Sequence, residues 1–238
     1  MHPLTIASLV MAGIMALLMP YYCRITYAGR SQKTLSVKMF LASLFLLTAI
    51  LSLFTVRVRQ GYMYVMLFGF VMDVIGDYLL GGSDRKREFL TGTGCFAAGH
   101  ILYIIAFSLA MRRMYPHVGW WNGAEIGLFL AIVCTVALIL VLKKPVFQTL
   151  LVVLFVYFML ISLMVTKAAG LGVRMMGDAP SMVMLPIGAF LFLCSDYELG
   201  MMHFKMHRST AFHKSVLSTT YFFGQMLIAL SMHTLVKF

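Results

Sequence analysis

The sequence predicts an all-α, polytopic membrane protein, a bundle of eight transmembrane helices. Three observations predict it. The chain has 238 residues, is 61% hydrophobic and only 11% charged, and has a mean hydropathy of +0.92. A soluble domain of this size cannot hide that much apolar surface. The apolar residues fall into eight runs, each near the ~20 residues that a helix needs to cross the hydrocarbon core. These runs are too long and too continuous for the alternating strands of a membrane barrel.

The elements follow in order. Helix 1, about 3–22, has no basic residue before it, so it reads as a retained helix and not a cleaved signal. Helix 2 spans about 37–56 and helix 3 about 61–82, the latter running into a Gly81-Gly82-Ser83-Asp84 turn. Helix 4, about 88–111, carries Gly92, Gly94, Cys95, Ala98 and Gly99 around His100, a small face suited to close helix packing. Helices 5 and 6 span about 120–142 and 146–167. Helix 7, about 181–202, begins near Pro180 and Pro186, and helix 8 covers about 215–236. The loops are short, so residues 1–238 read as one integral membrane domain.

The formal net charge of +11 does not point to nucleic acid. The basic residues sit between apolar spans, where they anchor and orient helices. Arg24, Arg30, Lys33, Lys38, Arg85, Lys86, Arg87, Lys143, Lys144, Lys205, Arg208 and Lys214 follow odd-numbered helices. Only Arg57, Arg59, Arg112, Arg113, Lys167, Arg174 and Lys237 lie on the other side. Odd loops are therefore expected in the cytoplasm and both termini outside. Cys23, Cys95, Cys134 and Cys194 lack ligand spacing and read as packing residues.

Two aspartates lie in matched settings, Gly76-Asp77-Tyr78-Leu79-Leu80-Gly81 and Ser195-Asp196-Tyr197-Glu198-Leu199-Gly200. A carboxylate at membrane depth is expensive and normally faces the bundle interior with a partner and a task. The next helix continues the match, Gly99-His100-Ile101-Leu102 against Gly224-Gln225-Met226-Leu227. The motifs are four helices apart, so a repeat here is parallel, 4+4, with its axis along the membrane normal. At about 1.5 Å per residue, Asp77 and Asp196 sit roughly 6–9 Å below the odd-loop face. His100, Tyr103, Tyr157, Tyr221 and Gln225 lie roughly 10–22 Å in and are expected to floor a cavity beneath them. Asp73 lies one turn deeper than Asp77 on the same helix face, where two carboxylates resist carrying charge together. His203, His207 and His213 have some zinc-like spacing but sit past the end of helix 7 among basic residues, and read as interfacial. No metal or other cofactor is expected. There is no GxSxG elbow and no lysine-containing phosphate loop.

An ordered set of motifs resembles the YhhN-like lysoplasmalogenase family. Phe70-Val71-Met72-Asp73-Val74-Ile75-Gly76-Asp77-Tyr78-Leu79-Leu80, then Phe89, Gly92, Phe96, His100, Tyr103 and Phe107, looks like its signature region. Gly188 through Asp196 and Tyr221 through Ser231 resemble its second and last blocks, and Tyr157 through Met164 its sixth helix. The likeness covers about 61–231. The chain departs from the pattern at Asp73, where the family more often has a small residue, and at Glu198. The resemblance implies an eight-helix membrane hydrolase that cleaves the vinyl-ether bond of lysoplasmalogens to a fatty aldehyde and a glycerophospho-base. Asp77 and Asp196 match the family's proposed active-site pair. Asp73, His100, Tyr103, Tyr157, Ser195, Tyr221 and Gln225 are then supporting or substrate-binding candidates. Substrate lysolipid and membrane lipids are the expected partners.

The chemistry suits two carboxylates. Vinyl-ether hydrolysis needs a proton donor, a negative charge near an oxocarbenium-like cation and a base for water, roles that glycosidases also divide between two carboxyl groups. The residues leave the division open; the nearness of Asp73 leans toward Asp77 as the acid. A proton-coupled small-molecule transporter is the main rival, since parallel repeats with paired membrane carboxylates also suit transport. A non-catalytic lipid-binding protein is the third reading.

Overall fold

The computed structural model describes residues 2–29, 31–55, 59–82, 86–143, 151–203 and 210–235. Among these, eight α-helices carry the chain and no strand occurs: α1 (Pro3–Tyr27), α2 (Gln32–Leu53), α3 (Gly61–Gly82), α4 (Lys86–Met114), α5 (Gly123–Lys143), α6 (Leu151–Met175), α7 (Met184–His203) and α8 (Ala211–Leu235). A 3-10 turn, Pro180–Val183, leads into α7. All but α5 are long and apolar enough to cross a membrane; the described apolar stretch of α5, Gly123–Ile139, is shorter. The chain is therefore a multi-pass membrane protein with seven such helices and one shorter apolar helix. Its outward faces are apolar, with Leu17, Phe68, Val141 and Val152 among the most exposed side chains, as hydrocarbon requires.

Two boundaries differ from the sequence expectation for one physical reason. Lys38 was counted as a loop charge at the very start of helix 2 and Lys167 at the end of helix 6, because a cation normally marks a membrane edge. In the structure α2 starts earlier, at Gln32, where the Ser31 side chain accepts from the Thr34 N–H at 3.1 Å. Lys38 then lies inside the helix, held by Asp77. Likewise α6 continues to Met175, and Lys167 is buried against Glu125 of α5 at 2.8 Å. A paired cation does not end a helix. Arg30, Arg57, Arg85, Lys144, Lys205, Arg208 and Lys237 from the orientation argument, the Ser83-Asp84 half of the predicted turn, and His207 lie outside the described residues.

The helices form a ring in which α1 packs on α2, α2 on α3, α3 on α4, α4 on α6, α6 on α7, α7 on α8, and α8 on both α1 and α2. Helix α5 packs on α6. The closest pairs are α3 with α4 and α7 with α8, and glycines make them close. A Cβ on Gly188 would lie 2.7 Å from the Gly224 carbonyl oxygen, and one on Gly224 would lie 2.8 Å from that of Gly188. On the other side a Cβ on Gly99 would lie 2.5 Å from Asp73 Oδ1. Small residues allow such backbone approach in the membrane, where packing replaces the hydrophobic drive. The tight contacts bring the inner faces of α3, α4, α7 and α8 together, and the aspartates are on those faces.

Candidate active site

Asp77 is on the last full turns of α3 and is 1% exposed. Its Oδ1 lies 2.9 Å from the Lys38 ammonium of α2, and its Oδ2 accepts from the Tyr221 hydroxyl of α8 at 2.7 Å. Lys38 also donates to the Asp77 main-chain carbonyl at 3.1 Å. One cation thus grips both the side chain and the backbone of the residue. An ion pair this dry is held by geometry and added hydrogen bonds, because each charge alone would carry a heavy desolvation cost.

Asp196 occupies the matching place on α7. Its Oδ2 accepts from the Tyr157 hydroxyl of α6 at 2.6 Å and lies 3.1 Å from His100 Nε2 of α4. His100 Nε2 is also 3.1 Å from the Tyr157 hydroxyl. The two aspartates therefore have different company: an ammonium and a phenol for one, an imidazole and a phenol for the other.

Asp73 is a third carboxyl, fully buried one turn below Asp77. Its Oδ2 accepts from the Tyr103 hydroxyl at 2.8 Å and from Gln225 Nε2 at 2.7 Å. Its Oδ1 has no hydrogen-bond partner among the described residues. A buried carboxyl oxygen left bare is expensive as part of an anion, so this surrounding suits the neutral acid.

A cavity of about 440 Å³ lies above these groups. Asp77, Asp196, Ser195 and Tyr221 line it; Asp73, His100, Tyr103, Tyr157 and Gln225 do not. This corrects the expectation of a polar floor built from five residues. Only Tyr221 reaches the cavity, while the others hold the carboxyl groups from behind. Phe96 and Phe222 form part of the wall, and Tyr221 packs edge-on to Phe96 and Phe192 at 5.8 and 5.4 Å between centroids. The cavity's rim comes from the C-terminal ends of α1, α3 and α7 and the first turns of α2, α4 and α8, which is the odd-loop face.

The sequence reading missed Lys38 and Lys214, both cavity-lining, by counting them as loop charges. A signal for Lys38 was present. Lys38 and Tyr157 each precede the aspartate they contact by 39 residues. Glu198, the other departure from the family pattern, is buried beside His213, with Oε1 2.8 Å from Nδ1. His203 stacks on Phe89 with centroids 3.5 Å apart. Among the described residues no three His, Cys, Asp or Glu side chains cluster as metal ligands would.

A family model described as the YhhN family matches residues 33–232, more than half of the chain. No solved structure matches.

Proposed function

The chain belongs to the YhhN family, and from that premise we propose that it is a lysoplasmalogenase-type hydrolase, cleaving the vinyl ether of a single-chain lipid. The observation that carries this reading is the pair of differently partnered aspartates on one cavity. Lys38 at 2.9 Å from Asp77 is placed to balance a negative charge on that carboxyl, which suits it to the carboxylate role. The acid role then passes to Asp196, which has no cation salt-bridged to it other than the titratable His100 among the described residues. This reverses the leaning drawn from Asp73, whose surroundings suit a neutral neighbour.

The cycle balances. Asp196 gives its proton to the outer vinyl carbon, and the ether carbon becomes an oxocarbenium ion. The Asp77 carboxylate offsets that charge and takes a proton as water adds. In the hemiacetal, Asp77 returns its proton to the glyceryl oxygen as the carbon–oxygen bond breaks. The hydroxyl proton goes back to Asp196. Fatty aldehyde and glycerophospho-alcohol leave, and both carboxyl groups are restored. Tyr157 and His100 fix the Asp196 orientation, and Tyr221 fixes that of Asp77.

The cavity lining comes from helix ends on one face, which favours a hydrolase over a transporter needing access from both. The deciding experiment incubates purified protein with an alkenyl lysophospholipid and measures free aldehyde. Aldehyde release is expected; its absence, with uptake of a solute into proteoliposomes instead, would establish the transporter.

We also propose that the chain is one membrane domain of eight spans built as a parallel 4+4 repeat. The packing supports it. The contacts α1 with α2, α2 with α3, α3 with α4 and α2 with α8 have counterparts in α5 with α6, α6 with α7, α7 with α8 and α6 with α4. The 39-residue spacing from Lys38 and from Tyr157 to their aspartates agrees with the same register.

A further inference from the structure

The cavity holds polar groups that the two-aspartate chemistry does not use. Several buried serines and threonines turn their hydroxyls back onto their own helix: Thr48, Ser52, Ser162, Thr166 and Ser231 each donate to a carbonyl three or four residues earlier, while Thr34 and Thr234 bond other groups and Ser108 makes no hydrogen bond among the described residues. Ser195 and Ser218 are equally buried and line the cavity. Among the described residues their hydroxyls make no hydrogen bond and are not sealed from the cavity. A hydroxyl that leaves its helix carbonyl in an apolar setting needs another partner. Lys214 lies one turn before Ser218 on α8, so the two share a helix face, and Lys214 also lines the cavity. Lys38 is committed to Asp77, whereas no acidic partner of Lys214 occurs among the described residues.

We propose that Lys214 and Ser218 form a phosphate subsite that seats the phosphodiester of a single-chain lipid while its reactive end lies at Asp77 and Asp196, with Ser195 hydrogen-bonding the glycerol hydroxyl. The span fits. Tyr221, which touches Asp77, is seven residues beyond Lys214 on α8, or about 10 Å along the axis. In an alkenyl glycerophospholipid six bonds separate the ether-bearing vinyl carbon from phosphorus. At about 1.5 Å per bond in a zigzag they reach roughly 7–8 Å. Hydrogen bonds of about 2.8 Å at the ends close the remainder. Ser195 adjoins Asp196 in sequence, where the glycerol would pass.

The subsite rests on the hydrolase reading for the lipid's orientation, but its test need not use turnover. The purified full-length protein in detergent is titrated with a saturated 1-O-alkyl lysophospholipid, which has no vinyl bond, with the matching 1-O-alkylglycerol, and with inorganic phosphate. Wild type is expected to prefer the phospholipid. Lys214→Gln is expected to weaken phospholipid binding about tenfold or more, the scale of a lost charge-assisted hydrogen bond, and to erase the preference over alkylglycerol. Lys214→Arg should keep most of it, and Ser218→Ala should lose a smaller part. Unchanged selectivity in Lys214→Gln would overturn the proposal. So would inorganic phosphate binding as tightly as the lysolipid, which marks a free-anion site. If selectivity behaves as expected and no aldehyde is ever released from an alkenyl substrate, the subsite stands and the hydrolase reading falls.

Discussion

Lys38 and Tyr157 show how one position can give two aspartates different chemistry. Each contacts the aspartate 39 residues later, one with an ammonium and the other with a phenol. If Asp77 is the anion and Asp196 the acid, neither tolerates a neutral isostere. Asp77→Asn and Asp196→Asn should each reduce aldehyde release by about 100-fold or more, the usual worth of a positioned proton donor or acceptor. Size-exclusion profiles should stay unchanged. Equal rates in both variants and wild type would remove the paired-carboxyl mechanism. Asp73→Ser should stay active, since Asp73 is outside the cavity lining; a dead Asp73→Ser beside an active Asp77→Asn would transfer the role. Lys38 is a positioning residue in this scheme. Lys38→Met should lower kcat by about 100-fold with little change in KM, because it acts through Asp77. Lys38→Arg should recover most of the loss. In an Asp77→Asn background, Lys38→Met should add little further loss. Additive effects in that cycle would show that Lys38 acts on its own.

At the scale of elements, α5 depends on one buried pair. It packs on α6, and Glu125 in its first turn meets Lys167 at 2.8 Å with both side chains nearly dry. The Lys167 ammonium also donates to the Trp120 carbonyl and lies 4.1 Å from the Trp121 ring centroid. Gly170 leaves the room that Glu125 fills, for a Cβ there would come within 2.3 Å of Oε1. Removing one member of such a pair strands the other charge, at a cost of about 3–5 kcal/mol. Lys167→Met should therefore lower the thermal midpoint in detergent clearly, and adding Glu125→Gln should restore much of it. No shift in Lys167→Met would mean that apolar packing alone holds α5. The same pair explains what was legible in the sequence. The all-helical membrane class, seven of the expected spans and the buried aspartates could be read because apolar run length and an isolated carboxylate are local signals. The ends of α2 and α6 could not, since whether a lysine ends a helix or enters it depends on a partner elsewhere: Asp77 for Lys38 and Glu125 for Lys167. Position along each helix axis was legible too, from the rise per residue. Azimuth was not, so four of the five predicted floor residues proved to stand behind the carboxyl groups.

At the scale of the whole molecule, the cavity's rim on the odd-loop face ties its access to the orientation of the bundle. By the excess of lysine and arginine after odd-numbered helices, that face is expected in the cytoplasm. Substrate would then enter from the cytoplasmic leaflet. Single-cysteine labelling tests this, with Cys23, Cys95, Cys134 and Cys194 first replaced by serine or alanine. Lys86→Cys and Arg113→Cys lie near opposite ends of α4. A membrane-impermeant maleimide applied to intact cells should label Arg113→Cys, and should reach Lys86→Cys only after permeabilisation. Labelling of Lys86→Cys in intact cells, with Arg113→Cys protected, would reverse the orientation and move cavity access to the other leaflet, leaving the bundle unchanged. Labelling of both from one side would be more serious. It would mean that α4 does not cross the membrane, and the ring that brings His100 to Asp196 and Tyr103 to Asp73 could not form as described.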